Sequence, residues 1–148
     1  MIEYKVRVWI NGAVSWSLNG KSHREDGPAV EKSDGTKEWW VNGKPHRVDG
    51  PAIEKADGFK AWYLNGKPHR EDGPAIEWPN GTKEWFLNGK CHREDGPAIE
   101  WPGGLKSWYL NGRKIKEEQP VKNATTRIEE LTVAEISKRL GYDVKIVK

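Results

Sequence analysis

Apolar residues in this chain fall into short alternating runs, and the runs recur every 23 residues. Lys83-Glu-Trp-Phe-Leu87 and Pro97-Ala-Ile-Glu-Trp101 form one pair of runs. They are rich in β-branched and aromatic residues and are bounded by glycine, which predicts strands rather than helices. The Asn-Gly pair after the first run sits at Asn19, Asn42, Asn65, Asn88 and Asn111. A constant step with no insertion or deletion marks a repeat array. Within it, Trp16, Trp39, Trp62, Trp85 and Trp108 share one strand face with Leu18, Val41, Leu64, Leu87 and Leu110 two residues on. This reading makes the tryptophan row buried, so that Trp62→Ala costs about 3–5 kcal/mol. The residue between, Ser17, Trp40, Tyr63, Phe86 or Tyr109, points the other way and is expected to be partly exposed. Val30, Ile53, Ile76 and Ile99 supply a second apolar row, followed two residues later by Lys32, Lys55, Trp78 and Trp101.

Two turn signals separate the runs. Asn11-Gly12, Asp34-Gly35, Asp57-Gly58, Asn80-Gly81 and Gly103-Gly104 suit tight hairpins. The longer Asn-Gly-Lys-x-His-Arg-x-Asp-Gly-Pro-Ala connection has room for a third short strand, around Lys90 to Arg93. Its x slot holds Ser22, Pro45, Pro68, Cys91 or Lys114. Proline donates no amide, so this slot is expected at a solvent-facing edge or loop, with Cys91 an incidental exposed thiol.

The ends differ from the interior. Tyr4 to Ile10 is expected to form an outer strand, with Val6, Val8 and Ile10 on one face, acting as an N-terminal cap. The pattern fades after Arg113, where Ile115 takes the histidine slot. Thr132-Val-Ala-Glu135 fits a capping box, and Gly141 a helix stop. The expected fold is therefore mainly β: an elongated antiparallel β-meander of 23-residue repeats over 1–122, with a small C-terminal helix–strand cap over 123–148. The cap would hold a helix at about 133–140 and a strand at about 143–147.

Composition narrows the partners. Hydrophobic residues are 35% and charged residues 32%, and nine tryptophans offset this polar balance. No apolar run is long enough for a membrane helix, and the N-terminus has no apolar stretch of the signal-peptide kind. One cysteine excludes an internal disulfide framework and suits a reducing, cytoplasmic setting. Residues 1–112 carry 16 Lys/Arg and 16 Asp/Glu, and residues 113–148 carry 9 and 6, giving the net +3. Nucleic acid, which needs clustered positive charge, is not the expected partner.

His23, His46, His69 and His92 each stand three residues before an aspartate. The arrangement could hold metal or a general base, but near-identical copies point to turn chemistry and to bridges between neighbouring units. Arg24, Arg47, Arg70 and Arg93 could read phosphate or carboxylate, but pairing with Glu31, Glu54, Glu77 and Glu100 fits the charge balance better. No phosphate loop, nucleophile elbow or paired cysteine is present. No catalytic residue, cofactor or metal is expected.

The aromatic strand with Trp85, the Asn88-Gly-Lys-x-His92 turn and the later Asp-Gly turn resemble MORN-type repeats over about residues 6–122. The resemblance implies stacked β-hairpins in a twisted sheet. The chain departs from that pattern at His92-Arg-Glu-Asp-Gly96. This subtype looks like repeats in bacterial and phage proteins, and no membrane role is expected of it.

The leading functional reading is a non-enzymatic protein that binds another protein, as a bacterial or phage regulator or inhibitor would. The alternative is a binder of nucleotide-like small ligands. A homodimer through a sheet edge or the C-terminal strand is a further possibility. The candidate surface comprises Trp40, Tyr63, Phe86, Tyr109, Trp78 and Trp101, with Arg47, Arg70, Arg93, His46, His69 and His92.

Overall fold

A computed structural model describes residues 3–118. The expected C-terminal helix and strand lie outside the described residues. Among those described the chain is β throughout, and every strand pair is antiparallel. The principal sheet has twelve strands: eleven run in chain order from Lys5–Val8 to Arg113–Glu118, and the twelfth, Lys21–Ser22, branches from Val14–Leu18. Each complete repeat adds two strands to it, such as Ile76–Glu77 and Lys83–Glu84. The meander is therefore as the 23-residue period implies.

The longer strand of each inner repeat is split at its tryptophan. Trp85 donates its amide to Ala98 (2.8 Å), next in register after Glu84 and Ile99, but its carbonyl accepts the His92 amide (3.0 Å), so the ladder ends there. Beyond Trp85 the chain enters a separate hairpin, Phe86–Leu87 with Lys90–Cys91. Trp40–Val41 with Lys44–Pro45 and Tyr63–Leu64 with Lys67–Pro68 are its equivalents. The third short strand is thus real, but in the inner repeats it lies off the principal sheet. The hairpins join one another, as Gly66 donates to the Pro45 carbonyl (2.9 Å) and Gly89 to that of Pro68 (2.8 Å).

The turn chemistry exchanges the expected roles. The tight two-residue turn is Asn-Gly of the long connection: Asn42 and Gly43 have φ of 52° and 75°, the left-handed pair of a type I′ hairpin. In the Asp-Gly series only the glycine is left-handed. There the Asp34 carboxylate accepts the Thr36 amide (2.8 Å) while Gly35 donates to Lys32 (3.0 Å), a three-residue turn. Asn11, Asp57 and Asn80 repeat the contact.

Burial departs from expectation in three places. The fully buried apolar row is Ala29, Ala52, Ala75 and Ala98, each at 0% exposure, and not the tryptophans, which are only half-buried. Close stacking of units shields the methyl at that position from solvent. Trp62→Ala is accordingly expected to cost about 2–3 kcal/mol in urea unfolding, below the range for a fully buried aromatic. Second, Pro45, Pro68 and Cys91 are half-buried and not solvent-facing, set opposite Trp40, Tyr63 and Phe86. Burial pushes the Cys91 thiol up to about 11, with Glu84 adding to the effect. It is therefore a poor nucleophile. Third, the outer strand is shorter than expected, Lys5–Val8, and Val8 and Ile10 of the expected cap face are exposed at 71% and 109%.

Candidate functional site

The long connection holds an arginine against a tryptophan in every unit. The Arg70 guanidinium carbon lies 4.1 Å from the centroid of the Trp62 ring. Arg24 on Trp16, Arg47 on Trp39 and Arg93 on Trp85 repeat this at 4.3, 3.9 and 4.1 Å. At the exit Lys116 takes the same place over Trp108, at 4.8 Å. The attraction is that of a cation for an aromatic face. It also explains the half-burial: the open side of the ring is covered by charge rather than by apolar atoms.

Each guanidinium is further committed at its edges. Arg70 Nε donates to Asp72 (2.9 Å), and one terminal nitrogen donates to the Pro74 carbonyl and to Glu77, both at 3.2 Å. Arg47 and Arg93 make the same contacts, reaching Glu54 and Glu100 at 2.9 and 3.1 Å. The cross-strand Arg–Glu pairs predicted from sequence are present. The aspartate takes the arginine, and its own backbone amide adds a hydrogen bond.

The glycine of Asp-Gly-Pro completes the stack. A Cβ on Gly73 would lie 2.9 Å from the Arg70 guanidinium carbon, and Gly27, Gly50 and Gly96 are equivalent. None of these four has a left-handed φ. The residue is glycine here because the guanidinium fills the space of a side chain.

The histidines join units. His46 Nδ1 accepts the Asn65 amide (3.1 Å), His69 that of Asn88 (3.1 Å) and His92 that of Asn111 (3.0 Å). Accepting at Nδ1 places the proton of the neutral ring on Nε2. Each ring thus ties the left-handed Asn-Gly turn of the following repeat. Among the described residues no group of three His, Cys, Asp or Glu is disposed to hold a metal ion.

Arginine hydrogen bonding and charge hold the carboxyl groups of Asp26, Asp72 and Asp95 below the usual carboxylate range. Asp49 is lowered by its hydrogen bond from Arg47, then by its own backbone amide. A depressed folded value means stability that is present above the unfolded value, about pH 4, and lost as pH falls below it. The melting temperature is expected to drop between pH 5 and pH 3. A chain with all four aspartates changed to asparagine should show a smaller drop over the same interval.

Between successive connections the surface opens into three grooves of 790, 700 and 630 Å³. In the largest, Trp85, Leu87 and Pro74 supply apolar surface, and Glu71, Asp72, Glu94 and Asp95 are present beside Arg70 and Arg93. These carboxylate side chains are 82–84% exposed. Four carboxylates against two arginines make this groove acidic in a chain whose net charge is +3. Val48 replaces the first acidic residue in the second connection, so the other two grooves carry one carboxylate fewer.

The residues picked out from sequence divide between two places. Arg47, Arg70, Arg93, His46, His69 and His92 line grooves, but as scaffold. None of the six aromatic candidates lines one. Trp40, Tyr63, Phe86, Tyr109 and Trp101 are half-buried, and Trp78 is exposed at 43%. Trp78 stacks edge-on against Phe59 at 4.8 Å and donates to Glu84 at 2.6 Å. Burial, with Glu84 adding to it, raises the Tyr63 hydroxyl above its ordinary value. Pleat alternation separates this aromatic row from the tryptophan–arginine row. Sequence reasoning missed the groove walls, Asp49, Glu71, Asp72, Glu94 and Asp95. The available signal was the Arg-Glu-Asp run, whose carboxylates exceed its arginines.

Fold and grooves together define a β-hairpin repeat protein with a 23-residue unit. No family model matches the chain, and no curated protein matches it.

Proposed function

We propose that this chain is a non-enzymatic, MORN-like repeat protein that binds another protein across its row of grooves. The observation that carries the reading is the division of labour in each unit. The arginines and histidines, which would perform chemistry, are bonded into the scaffold, while apolar floor and exposed carboxylates face solvent. Two sheet strands per repeat set equivalent grooves roughly 10 Å apart. Such a row suits a macromolecular partner that contacts several units at once, because one small ligand fills one groove. Nucleotide binding is the weaker alternative, since phosphate would meet exposed carboxylates and arginines already paired.

The test is capture of partners from the native host with the wild-type chain and with Glu71→Arg/Glu94→Arg, which alters only exposed side chains. The reading expects one protein held by the wild type and lost from the variant, with melting unchanged. Equal recovery by both chains refutes groove binding. Saturable titration of a nucleoside triphosphate into the wild type would favour the small-ligand reading.

A further inference from the structure

Exposed apolar surface is concentrated at the N-terminal edge of the principal sheet. Val6, Val8, Trp9 and Ile10 are 42%, 71%, 48% and 109% exposed. Lys5–Val8 pairs with Val14–Leu18 and has no strand on its other side among the described residues. The ladder shows which backbone groups are unpaired. Trp16, opposite Val6, gives its amide to Ala29 and takes one from His23, so neither group reaches Val6. Two positions on, Trp9 donates to Ala13. Lys5, Arg7 and Trp9 are therefore the inward-bonded positions, and the amides and carbonyls of Val6 and Val8 face the open edge.

Side chains add a pattern to this edge. Val6 and Val8 lie on the face of Trp16 and Val14, and Lys5 and Arg7 on that of Ser17 and Ser15. No carboxylate pairs with Lys5 or Arg7 among the described residues. At the end of the strand Trp9, Ala13, Val14 and Val30 help to line a 270 Å³ cavity, room for a large apolar side chain.

We propose that the Lys5–Val8 edge is a strand-addition site for an extended segment of a partner protein that alternates apolar and acidic residues. The backbone of such a segment completes the ladder, its apolar side chains cover Val6 and Val8, and its carboxylates meet Lys5 and Arg7. A second copy of this strand fits poorly in the two registers that overlap it most. Antiparallel pairing centred on Val6 sets Lys5 against Arg7, and pairing centred on Arg7 sets that residue against itself. Like charges directly opposite destabilise a sheet. The site is independent of the grooves and does not rest on their assignment.

The test titrates the full chain into labelled nine-residue peptides that alternate valine with glutamate, or valine with lysine. The valine–glutamate peptide is expected to bind saturably and the valine–lysine peptide about tenfold more weakly or not at all. Val6→Pro removes an outward amide without breaking an internal bond, so it should weaken binding about tenfold at unchanged melting temperature. Lys5→Glu/Arg7→Glu should exchange the two preferences, which keeps the test open if the proline variant unfolds. Equal binding of both peptides to the wild type overturns the proposal. So does the absence of saturable binding, or sedimentation as a dimer that excludes the peptide.

Discussion

Replacing Arg70 by alanine is expected to lower stability by about 3 kcal/mol in urea unfolding followed by tryptophan fluorescence. The side chain is 24% exposed, so water replaces little of what is lost. Removal uncovers the Trp62 ring, beneath a guanidinium at 4.1 Å. That contact contributes roughly 0.5–2 kcal/mol. It also leaves the Pro74 carbonyl without its donor at 3.2 Å and Glu77 without its counter-charge. The bond to Asp72 is solvent-exposed and adds little. Arg70→Lys keeps the charge but loses the planar fork that bonds along its edge while stacking by its face, and should recover less than half of the loss. A loss below about 1 kcal/mol for the alanine variant would show that the stack is ornamental.

Gly73→Ala is expected to cost about 2–3 kcal/mol by the same measurement, a large effect for one methyl group. Its Cβ would lie 2.9 Å from the Arg70 guanidinium carbon and 3.2 Å from two of its nitrogens. The guanidinium would have to leave the Trp62 ring to make room. Backbone strain is not the reason, since Gly73 has no left-handed φ. Gly66 supplies the contrast. It sits in the Asn-Gly turn at φ 81°, and its Cβ would meet only the Lys44 side chain, at 3.4 Å. Gly66→Ala should therefore cost about 1 kcal/mol, from torsion alone. Two glycines seven residues apart in one repeat thus answer to different physics.

Much of the fold was legible because its signals are local. The 23-residue step, the Asn-Gly and Asp-Gly turns and the two-residue alternation each act within a few positions of the chain, and they gave the meander directly. The tryptophan row shows where local reading stopped. Alternation placed Trp39, Trp62 and Trp85 on one face correctly, but it does not say what covers that face. The cover is the arginine eight residues later, brought back by a loop whose shape depends on Asp-Gly-Pro. Read in isolation, that aspartate is a turn residue, and only the folded loop delivers it to the arginine. Pro45 and Pro68 misled for a related reason. Absence of an amide points to a solvent-facing edge, whereas their carbonyls still accept from Gly66 and Gly89 of the next units. Repetition points to a structural role for the histidines and charge balance to pairing for the arginines, yet the sequence reading also places both on the candidate binding surface. The acidic groove walls were not legible, because balanced charge along the sequence conceals an imbalance that arises only when the connections stand side by side.

The guanidinium held between a tryptophan ring and a bare glycine is the joint on which each of the four complete connections closes. A double-mutant cycle between Arg70 and Gly73 tests it most directly, using urea unfolding of Arg70→Ala, Gly73→Ala and the double variant. If the guanidinium occupies the space that the new methyl needs, the cost of Gly73→Ala falls from about 2–3 kcal/mol to within about 0.5 of zero once Arg70 is alanine. If the two losses simply add, the arginine and the glycine do not share that space, and the joint is not built as described.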